Sequence, residues 1–365
     1  MSIDTDRQNA ELDVVAPGRG RRRLERRGQL PRWATAAVLA AAAVVVGGVL
    51  AVTGFSIGLF VVGTVVVFAV GLYALSRAVE GGRKATDRLV TIIVTSAFLL
   101  ALVPLISVIY TVVSFGLPRF DAQFFTYSMR GVVGEGGGVY HAITGTLIIT
   151  ALASVISIPV GVLTAIYLVE YGKGKLARAI TFFVDVMTGI PSIVAGLFAV
   201  ALFSLLLGPG ARLGLAGATA LSVLMIPVVV RATEEMLKIV PNELREASFA
   251  LGVPKWRTIL KVVIPTSIGG IVSGITLAIA RIIGETAPLL ITVGITTGTN
   301  LNPFDGRMAT LPVFAYYSYT QPGVPQEPSQ QRAWAAALLL IIIVMLLNLV
   351  ARLVSRFFAP KTGRR

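Results

Sequence analysis

Eight apolar runs recur along this 365-residue chain, at 34–52, 57–76, 89–114, 141–169, 179–207, 212–230, 266–294 and 333–354. A hydrocarbon layer about 30 Å thick is crossed by about 20 residues of α-helix, so each run is near or beyond the length of a span. Within lipid every backbone N–H and C=O needs an internal partner, which leaves only helices and closed barrels. Barrel strands alternate polar and apolar residues, and these runs do not. The chain is therefore expected to be an all-α, multi-pass membrane protein with eight transmembrane helices. With 55% hydrophobic residues, 14% charged residues and a mean hydropathy of +0.82, it cannot be an ordinary water-soluble domain.

The net charge of +14 invites a nucleic-acid reading, but the placement of the basic residues argues for orientation instead. Arg19, Arg21, Arg22, Arg23, Arg26, Arg27 and Arg32 precede the first run. Arg77, Arg83, Lys84 and Arg88 follow the second, Lys173, Lys175 and Arg178 follow the fourth, segment 231–265 follows the sixth, and a basic tail from Arg352 to Arg365 ends the chain. The alternate loops are poor in cations: Thr53–Ser56 has none and 115–140 holds only Arg119 and Arg130. This bias places both termini in the cytoplasm, with no nucleic-acid partner. Residues 1–32 are polar and lack an apolar helical face, so they read as a disordered basic tail. The first run is a full span without a clear cleavage site and is retained rather than removed as a signal. Without cysteine there is no disulfide frame or thiolate metal site, and a single histidine, His141, cannot form a cluster. No metal, cofactor or catalytic residue is expected.

The spacing is uneven. Two runs joined by a tight turn (33–80) read as an addition to a six-helix core, which occupies 86–358.

The longest polar interruption carries EASFALGVPKWRTILKVVIP, Glu246 to Pro265. Asn242 is suited to cap a helix whose Leu244, Ala247 and Leu251 share a face, and Gly252 to end it in a left-handed conformation. Pro254 then opens a second helix with Trp256, Ile259, Leu260 and Val263 at i, i+3, i+4, i+7. Two short amphipathic helices with a glycine elbow are expected. Lipid headgroups could hold them through Lys255, Arg257 and Lys261. Glu246 would oppose that, and the small Ala247 and Ser248 suit the close approach of a protein partner.

Other polar intrusions lie inside or beside the apolar runs. Asp185 and GIPS, Gly189–Ser192, interrupt the fifth run, and the proline predicts a bend that serves either packing or a watery path. GEGGGVYHA, from Gly134 to Ala142, reads either as a flexible helix entry or as a cradle for phosphate oxygens, though it is no P-loop. His141 there reads as an interfacial polar residue. In AIARIIGETAPLL, Arg281 and Glu285 are four residues apart and are expected on one helical face, paired with each other or lining a path. Arginine is a permanently charged, bidentate donor suited to a tetrahedral oxyanion.

The segment from Glu246 to Pro265 resembles the EAA loop of ATP-binding-cassette (ABC) importer permeases, whose pattern is E-A-A, three residues, G, nine residues, I-x-L-P. Glu246, Ala247, Ser248, Gly252, Val262, Ile264 and Pro265 stand at those spacings, with Ser248, Val262 and Ile264 as mild departures. The resemblance implies a type I importer fold and a loop that sits in a cleft of an ATPase subunit and transmits its closure. No Walker motif occurs here, so the ATPase is expected on another chain, and this chain is no enzyme. The wording around Arg281 and GIPSIVAGLF resembles the PstA family, permeases of bacterial phosphate-specific ABC importers, over roughly 86–358. Arg231, in VVVRATEEML, also fits that family's pattern. The family implies a homologous PstC-like permease, a PstB-like ATPase dimer, an external PstS-like phosphate-binding protein, and location in the bacterial cytoplasmic membrane. Sulfate or molybdate would suit the same class. An ion-coupled secondary transporter using Asp185, Arg281 and Glu285 as a charge relay is opposed by the EAA spacing. A sensory membrane scaffold would need residues 1–80 for function.

Overall fold

The computed structural model describes residues 29–358. The expected disordered tail lies outside the described residues up to position 28, as does the end of the chain from 359. All regular structure among the described residues is helical: α1 (Arg32–Thr53), α2 (Ile57–Val79), α3 (Gly82–Gly116), α4 (Ala122–Thr126), α5 (Tyr140–Ile166), α6 (Gly174–Thr188), α7 (Ser192–Leu207), α8 (Gly214–Ile239), α9 (Asn242–Ala250), α10 (Lys255–Thr258), α11 (Ile264–Ile282), α12 (Ala287–Thr292), α13 (Leu311–Thr320) and α14 (Gln326–Phe358). Among the described residues seven helical stretches can cross a membrane, and the total is eight if α6 and α7, bent by 108° at their junction, make one crossing. The bend falls at Gly189–Pro191, where the proline cannot continue the ladder.

The chain forms two compact units, one ending at Ser107 and one beginning at Val108. In the first, α1 and α2 pack as a hairpin around a turn at Gly54 (φ 110°). Gly63 brings the helices close, since a Cβ there would stand 3.0 Å from Val46 Cγ1. Glu80 closes the base of the hairpin: it accepts from the Leu30 N–H (3.0 Å), the Ser76 hydroxyl (2.8 Å) and the Arg88 guanidinium (2.8 and 3.0 Å). The last residues of the expected tail are therefore tied down. Burial pushes this carboxyl up, but the Leu30 N–H, Arg88 and Ser76 together hold it down at about 2. A depressed carboxyl stabilises above its unfolded value of 4.5 and loses that contribution as pH falls from there towards 2. Protection of the Leu30 amide, corrected for intrinsic exchange, should stay constant from pH 8 to 5 and fall below 4.5. Glu80→Gln should remove the pH dependence; an unchanged profile in that variant would refute the assignment.

In the second unit α5 and α8 form the spine, packed through small residues as membrane helices are. A Cβ on Gly161 would stand 2.7 Å from Val229 Cγ1, and Ser157 and Ser222 lie buried between the two helices. Gly274 does the same for α11 against Ala232 of α8, at 2.6 Å. The core joins Ile149 and Ala153 of α5 to Leu221, Met225 and Val229 of α8, Ala278 and Ile282 of α11, and Leu289, Val293 and Met308 beyond it.

The seventh apolar run departs from expectation. Helix continues without a break from Lys255 through a π-turn at Ile259–Val263 into α11, and it ends at Ile282 rather than near 294. The Ile264 N–H reaches back to Ile259 O, widening the turn just before Pro265, which has no N–H to give. The expected second short helix is thus the first turn of a span.

Candidate functional site

Where α8 ends, the chain turns at Pro241 into α9. Asn242 is the first helical residue rather than the cap, and its Oδ1 accepts from Arg245 Nη1 (3.2 Å) instead of a backbone N–H. Proline at 241, with φ −59° and ψ 142°, sets the entry without a side-chain cap. The exit matches expectation. Gly252 has φ 75°, its N–H bonds Phe249 O (2.9 Å), and Val253 N–H bonds Ser248 O (3.2 Å), the paired closure of a left-handed helix stop.

The elbow presents an apolar crest: Leu244, Phe249, Leu251, Trp256 and Leu260 are exposed, beside exposed Glu246 and Ala247. Trp256 carries the Arg257 guanidinium over its ring, 5.1 Å from the centroid. Ser248 does not face outward as expected; it is buried, with its hydroxyl 2.8 Å from Thr258 Oγ1, and so fastens α9 to α10. Pro265 is exposed at the first turn of α11.

Besides the helix that runs on from Lys255, a buried joint holds this elbow to the bundle. The α5 helix ends in a π-turn, Tyr167–Tyr171, that carries Glu170. Arg245 reaches its carboxylate through Nε (3.1 Å) and Nη2 (3.0 Å), and also donates to Val240 O (2.6 Å) and Leu237 O (2.9 Å) at the end of α8. Lys255 donates to the Glu170 carbonyl and lies over the Tyr171 ring, 4.9 Å from its centroid. The two side chains of the ion pair are 13% and 5% exposed, so neither is free to swing into solvent. A polar cleft of about 390 Å³ opens beside them, lined by Lys238, Asn242 and Phe249. Sequence reasoning passed over this joint. Its signal was Glu170, the single acid between Glu135 and Asp185.

Arg231 lies on α8 and is fully engaged: it pairs with Asp185 of α6 and with Glu234 (2.7 Å), which in turn accepts from Lys238 (2.7 Å). Asp185 is thus the partner that ties the end of α6 to α8.

Arg281 and Glu285 do not share a helical face, because α11 ends at Ile282 and Gly284 lies in the break before α12. They form no ion pair with each other or with any described residue; Arg281 is exposed and Glu285 half-buried. The expected mutual neutralisation is absent.

The glycine loop is neither slack nor an open N–H cradle. Its carbonyls face arginines: Arg332 donates to Gly134 O (2.8 Å) and Gly136 O (3.0 Å), and Arg119 to Gly137 O (2.6 Å). Beside it the Asp121 carboxyl is pushed up by burial, yet the Phe124 N–H and Arg119 bring it below its usual range. His141 is buried rather than interfacial, edge-on to Phe314 at 5.5 Å.

The family described as binding-protein-dependent transport system inner membrane component matches residues 157–364, which take in the elbow, the joint and α11. The phosphate transport system permease protein PstA 1 of Mycobacterium tuberculosis is 47% identical over 77% of this chain and 91% of that protein. PstA of Yersinia pestis is 37% identical over 76% of this chain and 92% of that protein. Among solved structures, the crystal structure of a bacterial alginate ABC transporter in complex with alginate pentasaccharide-bound periplasmic protein has a chain that aligns with a TM-score of 0.52 and 15% identity. The alignment covers 76% of this chain and 97% of that one, a likeness of fold.

Proposed function

This chain belongs to the binding-protein-dependent transport system inner membrane components, among the PstA permeases, and from that premise we propose that it is a membrane subunit of an ATP-driven importer of inorganic phosphate. The observation that carries the coupling half of this reading is the elbow from Asn242 to Thr258. It has an exposed apolar crest, a closed glycine stop and a rigid attachment to α5 and α8. An exposed crest on a braced support fits a cleft in a water-soluble partner, and a separate PstB-like ATPase dimer is the partner that fits.

The orientation follows from loop charge: both termini and the elbow are cytoplasmic. The ATPase pushes on α9 and α10, and α11 receives the push without an intervening joint because helix runs from Lys255 to Ile282. A PstC-like permease completes the pathway, and a PstS-like binding protein delivers phosphate from outside. The permease core is 86–358, and 33–80 is an addition to it. Along the path, Arg281 has no counter-ion among the described residues and attracts an oxyanion, while Arg231 nearer the cytoplasm is already neutralised by Asp185 and Glu234. The field therefore weakens in the direction of release.

Proteoliposomes containing the full complex should take up ³²P-phosphate only with ATP and binding protein. Arg281→Gln should reduce uptake at least tenfold, as loss of a charge-assisted contact of about 1.5–3 kcal/mol implies. Wild-type uptake by that variant would take Arg281 out of the path, and uptake of sulfate or molybdate in place of phosphate would change the cargo.

A further inference from the structure

The end of α12 and the chain that follows it are tied to the start of α8 by two backbone hydrogen bonds, Leu213 N–H to Thr292 O (3.2 Å) and Leu215 N–H to Pro303 O (2.8 Å), and the chain closes on itself through Met308 N–H to Val293 O (3.4 Å). Within this loop the Asn300 amide donates to Asp305 O (2.8 Å) and Arg307 O (3.1 Å), which fixes the turn that precedes Met308. Gly294, Arg307 and Arg212 are the immediate neighbours of Val293, Met308 and Leu213, so the same bonds bring those three residues together.

The side chains confirm it. Gly294 has φ 70°, and a Cβ built there would stand 3.2 Å from Arg212 Cδ, 3.4 Å from Arg307 Cδ and 3.5 Å from Arg212 Nη1. Two arginine stems thus converge over one missing side chain. Both residues are exposed, and neither guanidinium has a hydrogen-bond or ion-pair partner among the described residues. Asp305, two residues from Arg307, pairs with neither. The contrast within this unit is with Arg119, Arg231 and Arg245, which each hold a carboxylate, and Arg332, which holds two carbonyls; Arg281 is unpaired among the described residues as well, but no second arginine is brought against it by such backbone bonds. Like charges held side by side without a counter-ion repel, and an anion placed between them converts that repulsion into attraction.

We infer that Arg212 and Arg307, over Gly294, form a receiving site for a phosphate-type tetrahedral oxyanion at the outer mouth of the permease. Two planar forks can each give two parallel N–H groups to such an anion, and exposure leaves the site open to arrival and departure. The site lies at the end of α8 opposite the elbow, so its outer position rests on the orientation and cargo given above. An anion set down here stands at the end of the bundle where α11 finishes, with Arg281 in its last turn.

The test uses the complex of permeases and ATPase, purified in detergent without binding protein, and equilibrium binding of ³²P-orthophosphate. Arg212→Gln and Arg307→Gln should each raise Kd about tenfold, the double variant should lose saturable binding, and Arg→Lys at both positions should restore part of it. Wild-type affinity in the double variant overturns the site. So does an unchanged phosphate affinity accompanied by a fall in co-purifying phosphatidylglycerol, which makes the pair a lipid contact, or by weakened docking of the binding protein, which makes it a protein contact. If the wild type binds sulfate and not phosphate, and the arginine variants abolish that binding, the cargo reading fails while the oxyanion site stands.

Discussion

Arg245→Ala is expected to bring ATP-driven phosphate uptake to background while the chain still reaches the membrane. The alanine leaves the Glu170 carboxylate, 5% exposed, without its guanidinium, and frees the carbonyls of Leu237 and Val240 at the end of α8. Breaking a buried pair by removing one partner costs about 3–5 kcal/mol. A nine-residue helix that turns its apolar side outward has little packing to set against that loss. Tryptic cleavage at Lys255 and Arg257 should therefore quicken about a hundredfold, the equivalent of about 2.7 kcal/mol. Glu170→Gln should be milder, because an amide oxygen still accepts from Arg245. The discriminating quantity is phosphate moved per ATP hydrolysed: with α9 loosened, the ATPase can still turn over while α5 and α8 no longer follow α11. Wild-type uptake together with wild-type resistance to trypsin in Arg245→Ala would show that the joint carries no force.

The elbow also shows which features a sequence makes legible. Gly252 was readable because a left-handed stop has a strong residue preference, and the bend at Gly189–Pro191 because proline removes a donor whatever surrounds it. Spans were readable from length and apolarity alone. Asn242 is not the cap because Pro241 sets the helix entry by its own φ, a rival that outranks a side-chain cap. The spacing of Arg281 and Glu285 implies a shared face only on a continuous helix, and i, i+4 spacing means nothing across a break at Gly284. His141, polar by type, is buried by packing from Phe314, a residue far along the chain. The Glu170–Arg245 joint spans 75 positions. Local pattern cannot report such a contact; only an isolated acid at the end of an apolar run hinted at it. The same holds for Arg212 and Arg307, which are unremarkable loop arginines until the backbone bonds at Leu213 and Met308 set them side by side.

Those bonds depend in turn on a close approach in the spine, and Gly145→Ala should show it. A Cβ on Gly145 would collide with Ala309 O and stand 2.9 Å from Met308 Cγ and 3.1 Å from Ala309 C. Side chains can yield to such an intrusion, but this obstacle is backbone, and it is pinned nearby, where the Leu311 N–H donates to Thr146 Oγ1 at 2.8 Å. Segment 308–311 must move away from α5, and overpacking of this kind costs about 3 kcal/mol. For a unit of this size that is a fall in Tm of about 6–12 °C, measured on the purified complex. Gly284→Ala is the matched control, since nothing lies within 4 Å of a Cβ there, and it should leave Tm unchanged. Because Arg307 adjoins Met308, the shift in Gly145→Ala should also weaken phosphate binding, and Gly284→Ala should not. Equal Tm in the two variants would mean that α5 and segment 308–311 are not held together as tightly as Gly145 implies, and that the arginine pair does not depend on that approach.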